Sequence, residues 1–189
     1  MKKDRKNIIL KSLASMLEER NLSKITTAAL AEKSKITEAA LYRHFPSKRS
    51  IYAELFSFCD DTVFAKCNEL KKQKIPPKDK VKNAFIFFIV FIEKNKGFAR
   101  LLSREALSSN EQNVSDSVNQ FYERFELMLR QILKEDEENL VTQAGISAQL
   151  IITVLEGNIG RYIRSKFKDS PSNYIENIWN LLSLNIFKS

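Results

Sequence analysis

Hydrophobic residues recur near the start of the chain at the spacing of an α-helix. Lysine and arginine side chains fall on one face at about 3.6 residues per turn, and the apolar residues fall on the other: Ile8, Ile9, Leu13, Ala14, Met16 and Leu17. We therefore predict an amphipathic helix over residues 4–21.

Two short helices are predicted within residues 25–48, ITTAALAEKSKITEAALYRHFPSK. Thr26 or Thr27 caps the first helix, Thr37 caps the second, and Pro46 ends the second because the residue before a proline is pushed out of the helical region. Helices of about seven residues are too short to be stable alone, so they must pack on their neighbours. The pattern predicts a helix-turn-helix motif.

Longer apolar periodicities fill the rest of the chain and predict no convincing strand. Glycine and proline number only four each, which favours long uninterrupted helices. We expect an all-α fold of nine helices. The remaining six helices are predicted over residues 48–72, 78–94 (stopped by Asn95-Lys96-Gly97), 98–108, 113–135, 140–166 and from after Pro171 to about Phe187.

The positive charge is concentrated at the N-terminal end. Residues 1–50 hold twelve Lys and Arg against five Asp and Glu, a net of +7, whereas the other 139 residues carry a net of +1. A one-ended positive field attracts a polyanion within a Debye length of about 8 Å. Nucleic acid is the first expected partner, and an anionic membrane surface is the alternative.

Several other classes of protein are disfavoured. We expect no secretory signal, because the N-terminus MKKDRKNIILK has no apolar segment of useful length. The longest apolar run, FIFFIVFI at residues 85–92, is far shorter than the roughly 20 residues of a membrane span. We found no P-loop, dinucleotide fingerprint or catalytic triad, so we expect no enzyme activity and no cofactor. With one histidine, a metal site is not expected. Cys59 and Cys67 would lie about 12 Å apart on one helix, too far for a disulfide, so we expect reduced thiols in a cytoplasmic protein.

The helix-turn-helix prediction assigns roles to individual residues. The second helix of such a motif enters the major groove, and helix N-termini hold phosphate groups. Ala31, Ile36, Ala40 and Leu41 are expected to pack or to anchor the turn. For His44, the alternative is that it only caps a helix end and faces solvent. The residues predicted to contact DNA are Thr26, Thr27, Lys35, Thr37, Glu38, Ala39, Tyr42, Arg43, His44, Ser47 and Lys48.

The near-neutral remainder of the chain is predicted to form a dimer. Two amphipathic helices over 140–187 would pair with their copies as a four-helix interface, in which Gly157 and Gly160 allow close approach. The twofold axis predicts a palindromic DNA site. We place the domain boundary so that 1–47 is the DNA-binding domain and 48–189 the dimerisation and regulatory domain. The apolar faces predicted for the interface comprise Ile146, Leu150, Ile151, Val154 and Leu155, then Ile175, Ile178, Trp179, Leu182 and Ile186.

The stretch at 25–48, with Ile51 and Leu55 following it, resembles the DNA-binding domain of the TetR family of dimeric regulators. NQFYERFELMLRQILKE at 119–135 and EGNIGRYIRSKFKDSP at 156–171 are most similar to the nucleoid occlusion factors of the SlmA group. The resemblance extends from about Arg5 to Leu182. Relatives usually have glycine in the tight turn where this chain has Lys35, whose side chain is expected to add a phosphate contact.

This resemblance implies a nucleoid-associated homodimer that binds chromosomal sites and antagonises assembly of the cell-division protein FtsZ. The number of dimers per site is left open. The tail of FtsZ is expected in a groove between the helices at 48–72 and 78–94, contacting Phe58, Lys66, Lys94 and Asn95. The alternative is that the two lysines only face solvent and that Phe58 belongs to the core.

Two further alternatives concern the function. Most relatives of the TetR type are repressors that respond to a small ligand, and FIFFIVFI at residues 85–92 would either line such a ligand pocket or form central core. A protein-interaction adaptor that binds acidic lipid through its basic face is the third possibility.

Overall fold

The computed structural model describes residues 2–19 and 22–188, and nine α-helices occur within them. The prediction of an all-α, nine-helix fold is confirmed. The only β pairing among the described residues is an isolated bridge between Leu140 and Phe187. None of the described helices is both long and apolar enough to cross a membrane. The helices are α1 (Lys2–Glu18), α2 (Thr27–Lys33), α3 (Glu38–His44), α4 (Lys48–Lys72), α5 (Pro77–Lys94), α6 (Lys96–Leu102), α7 (Gln112–Leu133), α8 (Ala144–Arg164) and α9 (Ile175–Ile186).

Several predicted helix boundaries were wrong. Helix α1 ends at Glu18 instead of residue 21, which lies outside the described residues. Helix α6 ends at Leu102 instead of residue 108, because Arg104 has a left-handed backbone (φ 61°) that a right-handed helix does not continue through. Helix α8 begins four residues later than predicted, since Leu140 is extended and paired with Phe187.

The chain forms two compact units, of which the first comprises Met1–Asp61 and Asn95–Val118. Its core contains apolar side chains from α1, including the fully buried Leu13 and Leu17. The helix stop predicted at Asn95-Lys96-Gly97 is confirmed, because α5 ends at Lys94, but Gly97 is not the residue that ends it. Gly97 lies inside α6, where a Cβ would stand 3.0 Å from the Ala14 carbonyl oxygen and 3.2 Å from the Leu17 Cβ. Gly97 therefore permits the close packing of α6 on α1.

The second unit comprises Thr62–Lys94 and Asn119–Ser189 and has an aromatic core. The Phe88 ring lies 5.1 Å from Phe125 and 5.8 Å from Phe121, and Phe85 lies 5.9 Å from Trp179, measured between ring centroids. Rings at these separations attract one another in addition to burying apolar area. Of the two interpretations of FIFFIVFI, this packing favours central core.

The predicted domain boundary between residues 47 and 48 is a different kind of division and stays a prediction. It separates proposed functions, whereas the compact units reflect packing. Helix α4 begins at Lys48 and contributes residues to both units, while α6 belongs with the N-terminal helices because it packs on α1.

Candidate nucleic-acid interface

The starts of α2 and α3 are fixed by threonine caps, as predicted. The Thr26 hydroxyl accepts a hydrogen bond from the Ala29 amide at 3.1 Å, and the Thr37 hydroxyl accepts one from the Ala40 amide at 3.2 Å. Each cap satisfies an amide that the helix itself leaves unpaired. A hydroxyl that accepts can still donate, so both caps keep a proton available for a phosphate oxygen.

The turn between α2 and α3 closes the C-terminal end of α2. Lys35 in this turn has a left-handed backbone (φ 55°). The Lys35 amide donates to the Glu32 carbonyl at 2.9 Å, and the Ile36 amide donates to the Ala31 carbonyl at 3.0 Å. These two bonds are the pair that define a Schellman motif, whose left-handed position favours glycine. A lysine there costs about 1 kcal/mol and leaves its exposed ammonium at the tip of the turn.

Helix α3 has one buried side and one open side. Leu41 is fully buried, and Phe45, which follows the helix, is buried as well. The open side carries the predicted contact residues Glu38, Ala39, Tyr42 and Arg43, all of which are exposed. The orientation predicted for the second helix of the motif therefore agrees with its burial.

Three of the predicted contact residues are linked by hydrogen bonds. The Thr27 hydroxyl at the start of α2 donates to the Glu38 carboxylate at 2.5 Å, and the Tyr42 hydroxyl donates to the Thr27 oxygen at 3.4 Å. The first bond is short and charge-assisted, whereas the second is at the long limit. The open side of α3 and the first turn of α2 thus form one polar surface.

The start of α4 provides the last predicted contacts. Ser47 accepts a hydrogen bond from the Ser50 amide at 3.1 Å, and its own amide donates to the Ser50 hydroxyl at 3.2 Å. The Lys48 ammonium lies 5.2 Å from the centre of the Tyr52 ring, a cation–π distance. His44 is half-buried at the end of α3. DNA contact by these residues stays a prediction.

Burial changes the acidity of several side chains away from this surface. It raises the pKa of the Tyr52 hydroxyl, with a further contribution from the charge of Glu111. Cys59 and Cys67 are free and buried, and burial raises the pKa of each thiol to about 12, with the Asp60 charge adding to the effect at Cys59. Both thiols are therefore neutral and unreactive near pH 7.

The four predicted FtsZ-contacting residues have separate environments. Phe58 is 65% exposed on α4, so the alternative of a core phenylalanine is wrong. The Lys66 ammonium pairs with Glu69 at 2.9 Å, Lys94 is exposed at the end of α5, and Asn95 connects α5 to α6. Phe58 and Asn95 belong to the first compact unit, and Lys66 and Lys94 to the second. Partner binding by these residues stays a prediction.

The residues predicted for the dimer interface differ in their burial. Ile146 (54% exposed) and Leu150 on α8 are open to solvent. Six other predicted positions are buried in their own chain, so assigning these six to a subunit interface was wrong, whereas the half-buried Val154 and Ile178 stay a prediction. Those buried side chains are Ile151, Leu155, Ile175, Trp179, Leu182 and Ile186.

Two exposed apolar residues on α9 were missed. Leu181 and Leu184 are 66% and 70% exposed, and a Cβ at Gly157 on α8 would meet nothing within 4 Å. The sequence indicates them through a second apolar stripe on α9, which is offset by one or two residues from the stripe predicted for the interface. Together with Ile146 and Leu150, they form what we call the α8–α9 apolar face.

Comparison with known proteins bears on both ends of the chain. Residues 9–55 match the family model of bacterial regulatory proteins of the tetR family, and residues 78–186 match the SlmA-like model of the tetracyclin repressor-like C-terminal domain. Nucleoid occlusion factor SlmA of Vibrio vulnificus strain YJ016 is 35% identical over 98% of this chain and 97% of its own length. The SlmA of Marinomonas sp. strain MWYL1 is 33% identical over 98% and 96%. The chain belongs to the SlmA group of the TetR family.

Solved structures confirm the TetR-like fold. NalD, the secondary repressor of the MexAB-OprM multidrug efflux pump in Pseudomonas aeruginosa, superposes with a TM-score of 0.82, covers all of both chains and is 14% identical. FadR from Bacillus subtilis in complex with stearoyl-CoA gives a TM-score of 0.76 with 15% identity over 95% of this chain and 98% of its own. At such low identity, these two similarities concern only the fold.

Proposed function

We propose that this protein is a nucleoid occlusion factor, a homodimer that binds palindromic chromosomal sites and antagonises FtsZ assembly over the nucleoid. The observation that carries the proposal is the 35% identity to SlmA over nearly the whole of both chains. Similarity confined to the helix-turn-helix domain would support DNA binding alone. Here the C-terminal domain also matches an SlmA-like model. The protein would be cytoplasmic and nucleoid-associated.

DNA binding is supported by the polar surface on α2 and α3. Its exposed hydroxyl, carboxylate, phenol and guanidinium groups include the donors and acceptors that read base edges in the major groove. The excess of positive charge within residues 1–50 would supply the phosphate attraction.

Tyr42→Ala tests this orientation of the motif. The phenol is exposed, so its loss should leave the fold intact and weaken specific binding by about 1 to 3 kcal/mol if the hydroxyl makes a well-formed polar contact. Leu127→Ala, which removes an exposed apolar side chain from α7 outside both proposed interfaces, is the control. Unchanged affinity for a selected site in the Tyr42 variant would contradict the proposed orientation.

Dimerisation is supported by the α8–α9 apolar face. Exposed apolar side chains on α8 and α9 are costly in water, and a second copy of these helices would cover them with twofold symmetry. The open space at Gly157 would allow the two copies of α8 to approach closely.

The decisive experiment measures FtsZ polymer by sedimentation with the purified protein, with and without a duplex obtained by site selection. We expect less polymer when the protein and its selected duplex are both present, and a smaller effect with a scrambled duplex. No effect on polymer in any condition would overturn the proposal.

Phe58→Ala examines the proposed FtsZ contact. It should abolish the effect on FtsZ while leaving DNA binding unchanged, because Phe58 lies on α4 outside the helix-turn-helix. Leu127→Ala is the matched control, since Leu127 is a half-exposed apolar side chain on α7 outside the predicted groove. Equal effects of the two substitutions would contradict the predicted contact.

A further inference from the structure

An open cleft lies on the first compact unit between α1 and the turn that joins α2 to α3. Its volume is about 590 Å³. Helix α1 contributes Arg5, Ile8 and Ile9, and residues 33–37 form the opposite wall. The two residues from α1 that reach its open side, Arg5 and Ile8, are not among the predicted DNA contacts.

The charge of the cleft favours an anion. Arg5, Lys33 and Lys35 line it, and no acidic side chain is among the described residues that do so. The Lys33 ammonium is paired with Glu19 at 2.8 Å, which reduces its attraction for a ligand. Within the part of the chain that the structure describes, neither Arg5 nor Lys35 forms an ion pair. Arg5 on α1 and Lys35 in the turn therefore both bring a positive charge to the cleft.

The floor of the cleft is aliphatic. Ile8 is 44% exposed and Ile36 is half-buried, so both present apolar surface between the cations. A bare inorganic anion would leave this surface in contact with water. A ligand that carries apolar CH groups beside an anionic group would cover it, and a sugar–phosphate backbone has this composition because the deoxyribose ring lies next to each phosphate.

The cleft is continuous with the surface predicted to read DNA. Lys35 and Thr37 belong both to the cleft and to the predicted contact residues. We propose that the cleft receives the sugar–phosphate backbone of the bound duplex, with Arg5 and Lys35 as the phosphate contacts and Ile8 against the sugar. This proposal rests on the DNA binding proposed above and extends the interface onto α1.

The salt dependence of binding to the selected duplex tests the proposal. Each phosphate contact adds about 0.9 to the slope of log affinity against log salt, so Arg5→Gln should lower that slope by about 0.9 per protomer, or about 1.8 per dimer. Lys11→Gln is the matched control, because Lys11 is an exposed cation on the same helix that does not line the cleft. The Arg5 variant should lose affinity equally for selected and scrambled duplexes, because phosphate contacts carry no sequence information.

A scan with single methylphosphonate groups identifies the contacted phosphate. Neutralising that phosphate should weaken binding by the wild-type protein and by the Lys11 variant more than binding by Arg5→Gln, which keeps only the Lys35 contact. Ile8→Glu places a carboxylate in the cleft and should weaken binding more than Arg5→Gln does. Circular dichroism melting of each variant verifies that the fold is retained.

The outcomes separate this proposal from the proposed function. If the wild-type protein binds no duplex, DNA binding itself fails. If it binds but Arg5→Gln and Lys11→Gln have the same slope, only the cleft assignment is overturned. Thermal stabilisation of the wild-type protein, but not of Arg5→Gln, by octyl phosphate together with unchanged slopes would assign the cleft to a small amphiphilic anion instead.

Discussion

Gly97→Ala tests whether the close approach of α6 to α1 supports the first compact unit. Alanine is favoured over glycine in a helix interior by about 1 kcal/mol, so the substitution would stabilise a helix with free space around it. At Gly97 the added Cβ would stand 3.0 Å from the Ala14 carbonyl oxygen, 3.4 Å from the Ala14 Cα and 3.2 Å from the Leu17 Cβ. The sign of the effect depends on whether these atoms can move.

The contacting atoms are backbone atoms and one Cβ, so no side-chain rotation relieves the overlap. Helix α1 would have to shift by a few tenths of an ångström, and it is held to α6 by the buried Arg100, whose guanidinium donates to the Glu19 carbonyl at 2.6 Å. Overpacking of this kind costs about 1 to 3 kcal/mol, which at least cancels the gain in helix propensity. We expect a net loss of up to about 2 kcal/mol in the free energy of unfolding.

Denaturant titration followed by circular dichroism measures this loss. Gly145→Ala on α8 is the control, because a Cβ there would lie at an ordinary 3.9 Å from the Arg130 Nε. The control should be neutral or stabilising by up to about 1 kcal/mol. If Gly97→Ala stabilises the protein as much as Gly145→Ala does, the close approach does not constrain α1 and the reasoning is refuted.

Three other predictions concern the turn, the dimer and the thiols. Lys35→Gly should raise the free energy of unfolding by up to about 1 kcal/mol in denaturant titration, because the left-handed strain disappears. It should also weaken binding to duplexes of any sequence, because a cation is lost. A loss of stability would contradict the first effect. Leu184→Glu should give a folded monomer in analytical ultracentrifugation, since the side chain is exposed in the single chain. A persistent dimer would contradict the assignment of the α8–α9 apolar face as the dimer interface. Cys59 and Cys67 should react with a thiol reagent at pH 8 only after unfolding. Because their pKa is raised from 9.0 to about 12 in the folded protein, their contribution to stability is present below pH 9 and is lost as the pH rises from 9 towards 12; rapid labelling of the native protein at pH 8 would contradict their burial.

The ends of the short helices could be predicted from the sequence because their causes are local. Thr26 and Thr37 cap within three residues of the amides that they bind, and Pro46 acts on the residue before it. The outward side of α3 followed from the position of Leu41 for the same reason. The ending of α6 could not be predicted, because nothing in the residues around Arg104 identifies it as left-handed.

The features that depend on tertiary packing were harder to predict. Gly97 looks like a helix stop in the sequence, and only the position of α1 explains it as a packing residue. On α8, Ile146 and Ile151 are equally apolar, and periodicity does not distinguish a face against the chain's own core from a face against a second copy. The cleft beside Arg5 likewise joins residues about 30 positions apart, so no local pattern indicates it.

The bonded set of Thr27, Glu38 and Tyr42 has a consequence for sequence discrimination. A carboxylate on the proposed DNA surface would be repelled by phosphates, so Glu38 should weaken binding to every duplex. In the unbound protein the carboxylate accepts a hydrogen bond from the Thr27 hydroxyl at 2.5 Å. In the proposed complex, a cytosine amino group in the major groove would be a suitable further donor to it. At a site without such a donor, the carboxylate would lose its hydration without a replacement and would still be repelled by the phosphates. Glu38 should thus reduce binding to unrelated sequences more than binding to the selected site, which suits a protein that marks particular sites on a long chromosome.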